Sequence, residues 1–201
     1  MKVQGFYAVL DRDDEALART LVGPGGAKLL QIRIKPGDAG DIARVARWAR
    51  AVCDDHGAAL VVNDRVDVAL AVGADAVHLG QDDLPLADAR ALAGKRLAIG
   101  VSTHNPAQVR AAYFGGADYI AYGPIFQTRT KANPDPVQGL PALREAVALA
   151  HEIPVVAIGG ITPSDARDIY SRGASAICAI AAVNRAPDVA AAARALAFSQ
   201  C

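Results

Sequence analysis

The sequence predicts one α/β domain over residues 1–201, a single compact (β/α)8 (TIM) barrel with short loops. Three observations lead there. Short runs rich in Val, Ile and Leu alternate with Ala- and Arg-rich stretches of helical pattern, the signature of parallel strands buried on both faces. Four Gly-Ala pairs, at positions 26, 73, 116 and 173, are each followed by one polar residue and then an apolar run. Each copy introduces an even-numbered strand, so each period holds two β/α units and four periods give eight. Eight alternating units favour a closed barrel over an open sheet, and 201 residues is near the lower limit of about 200 for that fold.

The elements follow in order. Phe6–Leu10 opens the chain as an apolar strand, and Gly26-Ala27-Lys28 leads into the second, Leu29–Ile34. The pattern over Asp41–Asp55 is helical, and Ala59–Asn63 is the third strand. Gly73-Ala74-Asp75 introduces Ala76–Leu79, and Leu97–Val101 is the fifth. Gly116-Ala117-Asp118 precedes Tyr119–Tyr122, helical Leu140–Ala150 precedes Val155–Ile158, and Gly173-Ala174-Ser175 precedes Ala176–Ile180. A glycine at each repeat suits the left-handed position that ends a helix. The last interval is the longest, and its excess lies between Tyr122 and Leu140, rich in Pro, Thr and Asn. A long loop in so compact a chain is a candidate active-site lid.

Composition removes several classes of function. Lys plus Arg and Asp plus Glu both number 21, so there is no bulk positive field to draw nucleic acid. With 52% hydrophobic and 21% charged residues, intrinsic disorder is excluded. The apolar start of the chain is shorter than a signal sequence and runs at once into Asp11-Arg12-Asp13-Asp14-Glu15, and no apolar run is long enough for a membrane span. Three cysteines, Cys53, Cys178 and Cys201, fit neither a disulfide framework nor a zinc site, and the expectation is a cytoplasmic protein. Helix surfaces are Ala-rich without an obvious patch, leaving oligomeric state open.

Active sites of such barrels lie at the C-terminal ends of the strands. Gln31, Arg33 and Lys35 alternate with Ile32 and Ile34, and period two puts the three polar side chains on one face, inward in a barrel. Two interior cations call for an anion. Alternatively Lys35 begins a surface loop and Arg33 alone is inside, paired to Asp64. Asp64 and Asp83 follow adjacent strands and suit Mg²⁺ held by two carboxylates plus water and phosphate oxygens. Helix capping is the other reading for each, and Asp82 competes with Asp83. Thr128-Arg129-Thr130-Lys131 offers hydroxyls and cations for a phosphate, or is a solvated loop. Gly159-Gly160 lets backbone approach a ligand ahead of Thr162-Pro163, or is a plain turn with Thr162 as helix cap. His78 reads as a satisfied core imidazole. His104, before the cap Asn105-Pro106, fits surface and site equally. No P-loop, Gly-x-Gly-x-x-Gly or Ser-His-Asp order is present.

Taken together, the strand ends resemble the thiamine-phosphate synthase family from Tyr7 to about Val183. The matching stretches are Gln31-x-Arg33-x-Lys35, Asn63-Asp64-Arg65, Val77 through Leu84, Gly100 through His104, Gly123-Pro124 through Thr128-x-Thr130-Lys131, and Ala157 through Ile161. The resemblance implies a (β/α)8 barrel that joins a pyrimidine methyl diphosphate to a thiazole phosphate and releases diphosphate. It implies that the pyrimidine diphosphate is held by Gln31, Ile32, Arg33, Ile34, Lys35, Asn63, Ser102 and Lys131, with Ser102 and Lys131 carrying catalysis. It further implies Mg²⁺ on Asp64 and Asp83, choosing Asp83 over Asp82. The thiazole phosphate falls to Thr128, Arg129, Thr130 and Gly160, and to the backbone of Ile180 and Ala181. One departure is Ala181, where the family usually has Ser; a backbone N–H remains to meet phosphate, but a hydroxyl is lost. The implied partners are these two small substrates, with no nucleic acid and no membrane. Two other readings go with the same fold. One is a thiazole tautomerase, which typically lacks the Thr-x-Thr-Lys clamp and would need a base such as His78 or His104 but no Mg²⁺. The other is a non-catalytic thiamine-phosphate binder.

Overall fold

The computed structural model describes residues 1–128 and 135–197. Eight parallel strands close into a barrel in chain order: β1 (Gly5–Leu10), β2 (Leu29–Ile32), β3 (Ala59–Asn63), β4 (Ala76–Leu79), β5 (Ala98–Thr103), β6 (Tyr119–Tyr122), β7 (Val155–Ile158) and β8 (Ala176–Cys178). The ring is sealed by β8 against β1, with Gly5, Phe6 and Tyr7 in register with Ala176, Ile177 and Cys178.

Helices cover the outside because each strand sends alternate side chains outward. Ala8, Leu10, Leu30, Ile32, Leu60 and Val62 point into the shell beneath the helices, whereas Tyr7, Val9, Leu29, Val61, Tyr119 and Cys178 fill the barrel interior. The shell helices are α1 (Glu15–Val22), α2 (Ala39–His56), α3 (Val66–Ala71), α4 (Leu86–Ala93), α5 (Pro106–Phe114), α6 (Gly139–Leu149) and α7 (Ala166–Ser171). A short α8 (Ala181–Asn184) follows β8 directly, and α9 (Val189–Leu196) takes the eighth outer place. Their starts are chemically marked. The carboxylates of Asp14, Asp38 and Asp188 accept from the amides of Leu17, Asp41 and Ala191, and Asn105 accepts from Gln108 N ahead of Pro106. Among the described residues no helix is long and apolar enough to cross a membrane.

The Gly-Ala repeat is structural in all four copies. Gly26, Gly73, Gly116 and Gly173 sit at φ of 73°, 64°, 76° and 92°, and they lead into β2, β4, β6 and β8. Two copies carry Asp next. Asp75 Oδ2 accepts from Leu60 N (2.7 Å) and Arg50 Nη1 (2.5 Å), and Asp118 Oδ2 accepts from Ile99 N (2.7 Å) and Arg90 Nη2 (2.5 Å). In these two copies the Asp ties the start of β4 to β3 and of β6 to β5.

Two strands are shorter than their apolar runs suggest. Arg33 N–H donates the last bond from β2's side of the β1–β2 ladder, to Leu10 O, and Pro36 then has no N–H to offer. The expected common inward face of Gln31, Arg33 and Lys35 therefore breaks after Ile32. At β8, pairing to both neighbours stops at Cys178, and Ile180 O turns to accept from Val183 N and Asn184 N at the start of α8.

Candidate active site

Apart from the hydroxyls of Tyr7 and Tyr119, the polar side chains described in the barrel interior gather near the C-terminal ends of the strands. Gln31, Asn63 and His78 are buried there, and Ser102 is half-buried. β3–β4 pairing sets Asn63 beside His78, and β4–β5 pairing sets His78 beside Gly100.

Beyond β2 the chain swings so that Lys35 Nζ reaches Asp64 Oδ2 at 2.6 Å. The partner of Asp64 is therefore Lys35 and not Arg33, the reverse of the pairing that a surface Lys35 implies. Lys35 is nonetheless half-exposed, and Arg33 is half-buried with no described carboxylate in ion-pair range. Ile32 is fully buried under the helices, so its side chain faces away from the barrel interior.

Asp64 adopts a left-handed backbone at φ 62°, a conformation that Asp tolerates better than most residues. Its N–H donates to His78 O at 2.8 Å, which locks the end of β3 to β4. Neither aspartate caps a helix: the N-cap positions of α3 and α4 are Arg65 and Pro85, without side-chain caps. Asp83 Oδ2 instead accepts from Gly80 N at 2.7 Å, closing the turn after β4. That turn sets the Asp83 carboxyl facing Asp64, close enough for the two groups to influence each other, while Asp82 is exposed. Burial, then the facing Asp64, holds the Asp83 carboxyl above its usual range, and the Gly80 amide and Lys35 offset only part of this. Two facing acids at a mouth that also holds Lys35 form a place that accommodates added positive charge. Their oxygens suit a hard divalent cation that draws its other ligands from water or phosphate. Among the described residues no cluster of three or more His, Cys, Asp or Glu could hold a metal.

The loop after β6 packs on the turn after β7. Ile125 N and Phe126 N donate to Ile158 O and Gly159 O, both at 2.9 Å. Gly160 (φ 67°) lies so close to the backbone of Phe126 and Gln127 that a Cβ there would collide with it, so Gly160 stands one residue from half-buried Thr128. Thr162 is the expected cap, with Thr162 N donating to Asp165 Oδ2 at 2.8 Å. Ile180 and Ala181 begin α8, where first-turn amides have no intrahelical acceptor. Asn184 Nδ2 holds that helix by donating to Val9 O and Asp11 Oδ1, both at 2.9 Å. Arg129, Thr130 and Lys131 lie outside the described residues.

Both imidazoles near the mouth are committed. His78 Nδ1 meets Tyr119 Oη at 3.1 Å and Nε2 meets Ser102 Oγ at 2.9 Å. Burial, only partly opposed by Asp83, pushes its pKa down to about 4, so it is neutral at pH 7. His104 Nδ1 lies 2.6 Å from Gly123 O and Nε2 lies 3.4 Å from Asp135. Tyr7, Tyr119 and Asn184 carry no sequence signal of a site. Gly100, a glycine inside a strand, is a local hint of something bulky lying over it, here the Tyr119 ring from the neighbouring strand.

Comparisons with known proteins bear on the family and the fold. The model of the thiamine monophosphate synthase family matches residues 6–183. A thiamine-phosphate synthase of Methanospirillum hungatei is 47% identical over 173 residues, covering 85% of this chain and 82% of that protein. One from Anaeromyxobacter dehalogenans is 46% identical over 193 residues, covering 96% and 86%. Among solved structures, a thiamine phosphate pyrophosphorylase from Pyrococcus furiosus superposes with a TM-score of 0.86 at 36% identity, over 97% of this chain and 94% of that one. A 3-hexulose-6-phosphate synthase, at TM-score 0.71 and 20% identity over 96% and 97% of the two chains, shares the fold alone.

Proposed function

Because the chain belongs to the thiamine monophosphate synthase family, enzymes of thiamine biosynthesis, we propose that it is a Mg²⁺-dependent transferase. Its substrates are 4-amino-2-methyl-5-(diphosphooxymethyl)pyrimidine and a thiazole phosphate, and its products are thiamine phosphate and diphosphate. The observation that carries this reading is the meeting of Lys35, Asp64 and Asp83 at the ends of neighbouring strands.

Asp64 and Asp83 would hold Mg²⁺, which would supply positive charge to the diphosphate as it leaves. Arg33, Lys35, Asn63, Ser102 and Lys131 bind the same diphosphate, together with Gln31, Ile32 and Ile34 of the segment that bears Arg33 and Lys35. Thr128, Arg129, Thr130, Gly160 and the amides of Ile180 and Ala181 hold the thiazole phosphate. The methylene C–O bond breaks with its electron pair on the diphosphate oxygen, and the electron-rich aminopyrimidine stabilises the cation. The thiazole nitrogen lone pair then forms the new C–N bond. The residues hold both substrates in line and neutralise the leaving group. No side chain has to remove a proton, which fits a site whose imidazoles are already engaged. We place the protein in the cytoplasm, in keeping with the unpaired buried thiols of Cys53 and Cys178.

Incubation with both substrates tests the reading. It predicts equal amounts of thiamine phosphate and diphosphate, with product formation abolished by chelator and restored by Mg²⁺. Binding of both ligands without product would make the chain a binder. Chelator-insensitive proton exchange on a thiazole carboxylate phosphate would make it a tautomerase.

A further inference from the structure

A line of buried hydrogen bonds crosses the barrel interior beneath the mouth. Gln31 Nε2 donates to Tyr7 Oη at 2.7 Å, and Tyr7 Oη meets Tyr119 Oη at 2.9 Å. Tyr119 Oη meets His78 Nδ1 at 3.1 Å, and His78 Nε2 meets Ser102 Oγ at 2.9 Å. The Tyr119 ring also lies against the imidazole, with centroids 5.5 Å apart and planes 28° apart.

The order of donors follows from counting hydrogens. An amide nitrogen only donates, so the Tyr7 oxygen accepts from Gln31 and sends its single hydrogen to Tyr119. Tyr119 then has one hydrogen to give, and His78 Nδ1 receives it. An imidazole nitrogen that accepts carries no proton, so the proton of neutral His78 is on Nε2 and points at Ser102 Oγ. Ser102 therefore accepts from below, and its own hydrogen is left to donate into the mouth. The opposite order would leave the hydroxyl hydrogen of buried Tyr7 without an acceptor among the described residues. We propose that Tyr7, Tyr119 and His78 are positioning residues that fix His78 in its Nε2–H form and so make Ser102 an obligate hydrogen-bond donor, selecting an acceptor such as a diphosphate oxygen on the bound substrate. The role given to Ser102 rests on the function proposed above; the tautomer does not.

Nitrogen-15 NMR of the full chain, without ligand and at neutral pH, reads the tautomer directly. The chain has four histidines, and the His78 signals are those lost in His78→Gln. Expected are a protonated Nε2 and an unprotonated Nδ1, with loss of that preference in Tyr119→Phe. A proton on Nδ1 would mean that Gln31 presents its oxygen and the line runs backwards, which overturns the proposal. So would an unchanged tautomer in Tyr119→Phe. For turnover, Tyr119→Phe is expected to lower kcat about tenfold, the worth of one weakened transition-state hydrogen bond, with KM nearly unchanged. The same change in a Ser102→Ala background is expected to cost nothing further. Full additivity, or no loss of kcat in the single variant while the wild type turns over, refutes the positioning role. If the wild type proves inactive on these substrates, the NMR arm still decides the tautomer.

Discussion

Replacing Gly100 by alanine tests the packing on which the polar line depends. Gly100 lies in the middle of β5, where an added Cβ falls onto Cζ, Cε1 and Cε2 of the Tyr119 ring. To reach ordinary carbon contact of about 3.5 Å the ring has to retreat by more than about 1 Å. Its hydroxyl bonds to Tyr7 and His78, now 2.9 and 3.1 Å, would then be lost or badly stretched. Overpacking costs about 1–3 kcal/mol, and two weakened buried hydrogen bonds cost about 1 kcal/mol each. The smaller entropy of an unfolded alanine returns about 0.4–1 kcal/mol. The net expectation is a loss of about 2–4.6 kcal/mol, or roughly 4–18 °C in melting temperature for a domain of this size. Gly26→Ala is the control. Its Cβ meets nothing within 4 Å, so only the positive φ of 73° is penalised, by about 1–2 kcal/mol. Urea denaturation of both variants gives the comparison. A second arm repeats Gly100→Ala in a Tyr119→Ala background, where the clash is gone and the substitution is expected to cost less than about 0.5 kcal/mol. Gly100→Ala as stable as wild type, or equally costly with and without the ring, would refute the reasoning.

Further outcomes follow from other groups. The fold holds His78 neutral with its pKa near 4 against 6.5 ordinarily, so the unfolded chain binds a proton first as pH falls. Stability should drop on the order of 3 kcal/mol between pH 6.5 and 4, and the difference between wild type and His78→Gln in urea melts at pH 7.5 and 4.5 isolates that share. Cys53 and Cys178 are buried with thiols pushed up to about 12, so a Cys201→Ser variant should not react with a thiol reagent at pH 8 until it unfolds; rapid labelling of the native protein would contradict this. Asp118→Ala strips the Ile99 amide and Arg90 of one acceptor, and a loss of about 1–3 kcal/mol in chemical denaturation is expected.

The barrel was legible because its punctuation is local. Gly73, Gly116 and Gly173 follow helix caps directly in the left-handed region, whereas Gly26 shares that backbone geometry three residues beyond the cap Gly23 of α1; each lies within three residues of the strand it introduces. The ends of β2 and β8 were not legible, because Ile34 and Ile180 are apolar whether or not a ladder continues. At the site, residue types were readable but partners were not. Lys35 and Arg33 are equivalent cations in sequence, and only the path of the chain beyond β2 gives Asp64 to Lys35. Asp82 and Asp83 are likewise equivalent until the turn closed by Gly80 N points Asp83 at Asp64. Tyr7 and Tyr119 sit in apolar strands and read as core, which they are; their joined hydroxyls depend on two side chains from strands far apart in the chain. The overall neutrality of 21 against 21 hid a charged mouth, because about half of the acids are taken up by surface pairs such as Arg44 with Asp13 and Arg19 with Glu15.

Calorimetric titration of inorganic diphosphate, with and without Mg²⁺, tests the central claim most directly. The claim is that Asp64 and Asp83 recruit a cation for a diphosphate held by Lys35 and its neighbours. Wild-type protein should bind diphosphate at least tenfold more tightly with Mg²⁺ present, the equivalent of one charge-assisted contact of about 1.4 kcal/mol. Asp64→Asn and Asp83→Asn should lose that enhancement while keeping the fold. An enhancement of the same size in wild type and both variants, or none in the wild type, would contradict the account.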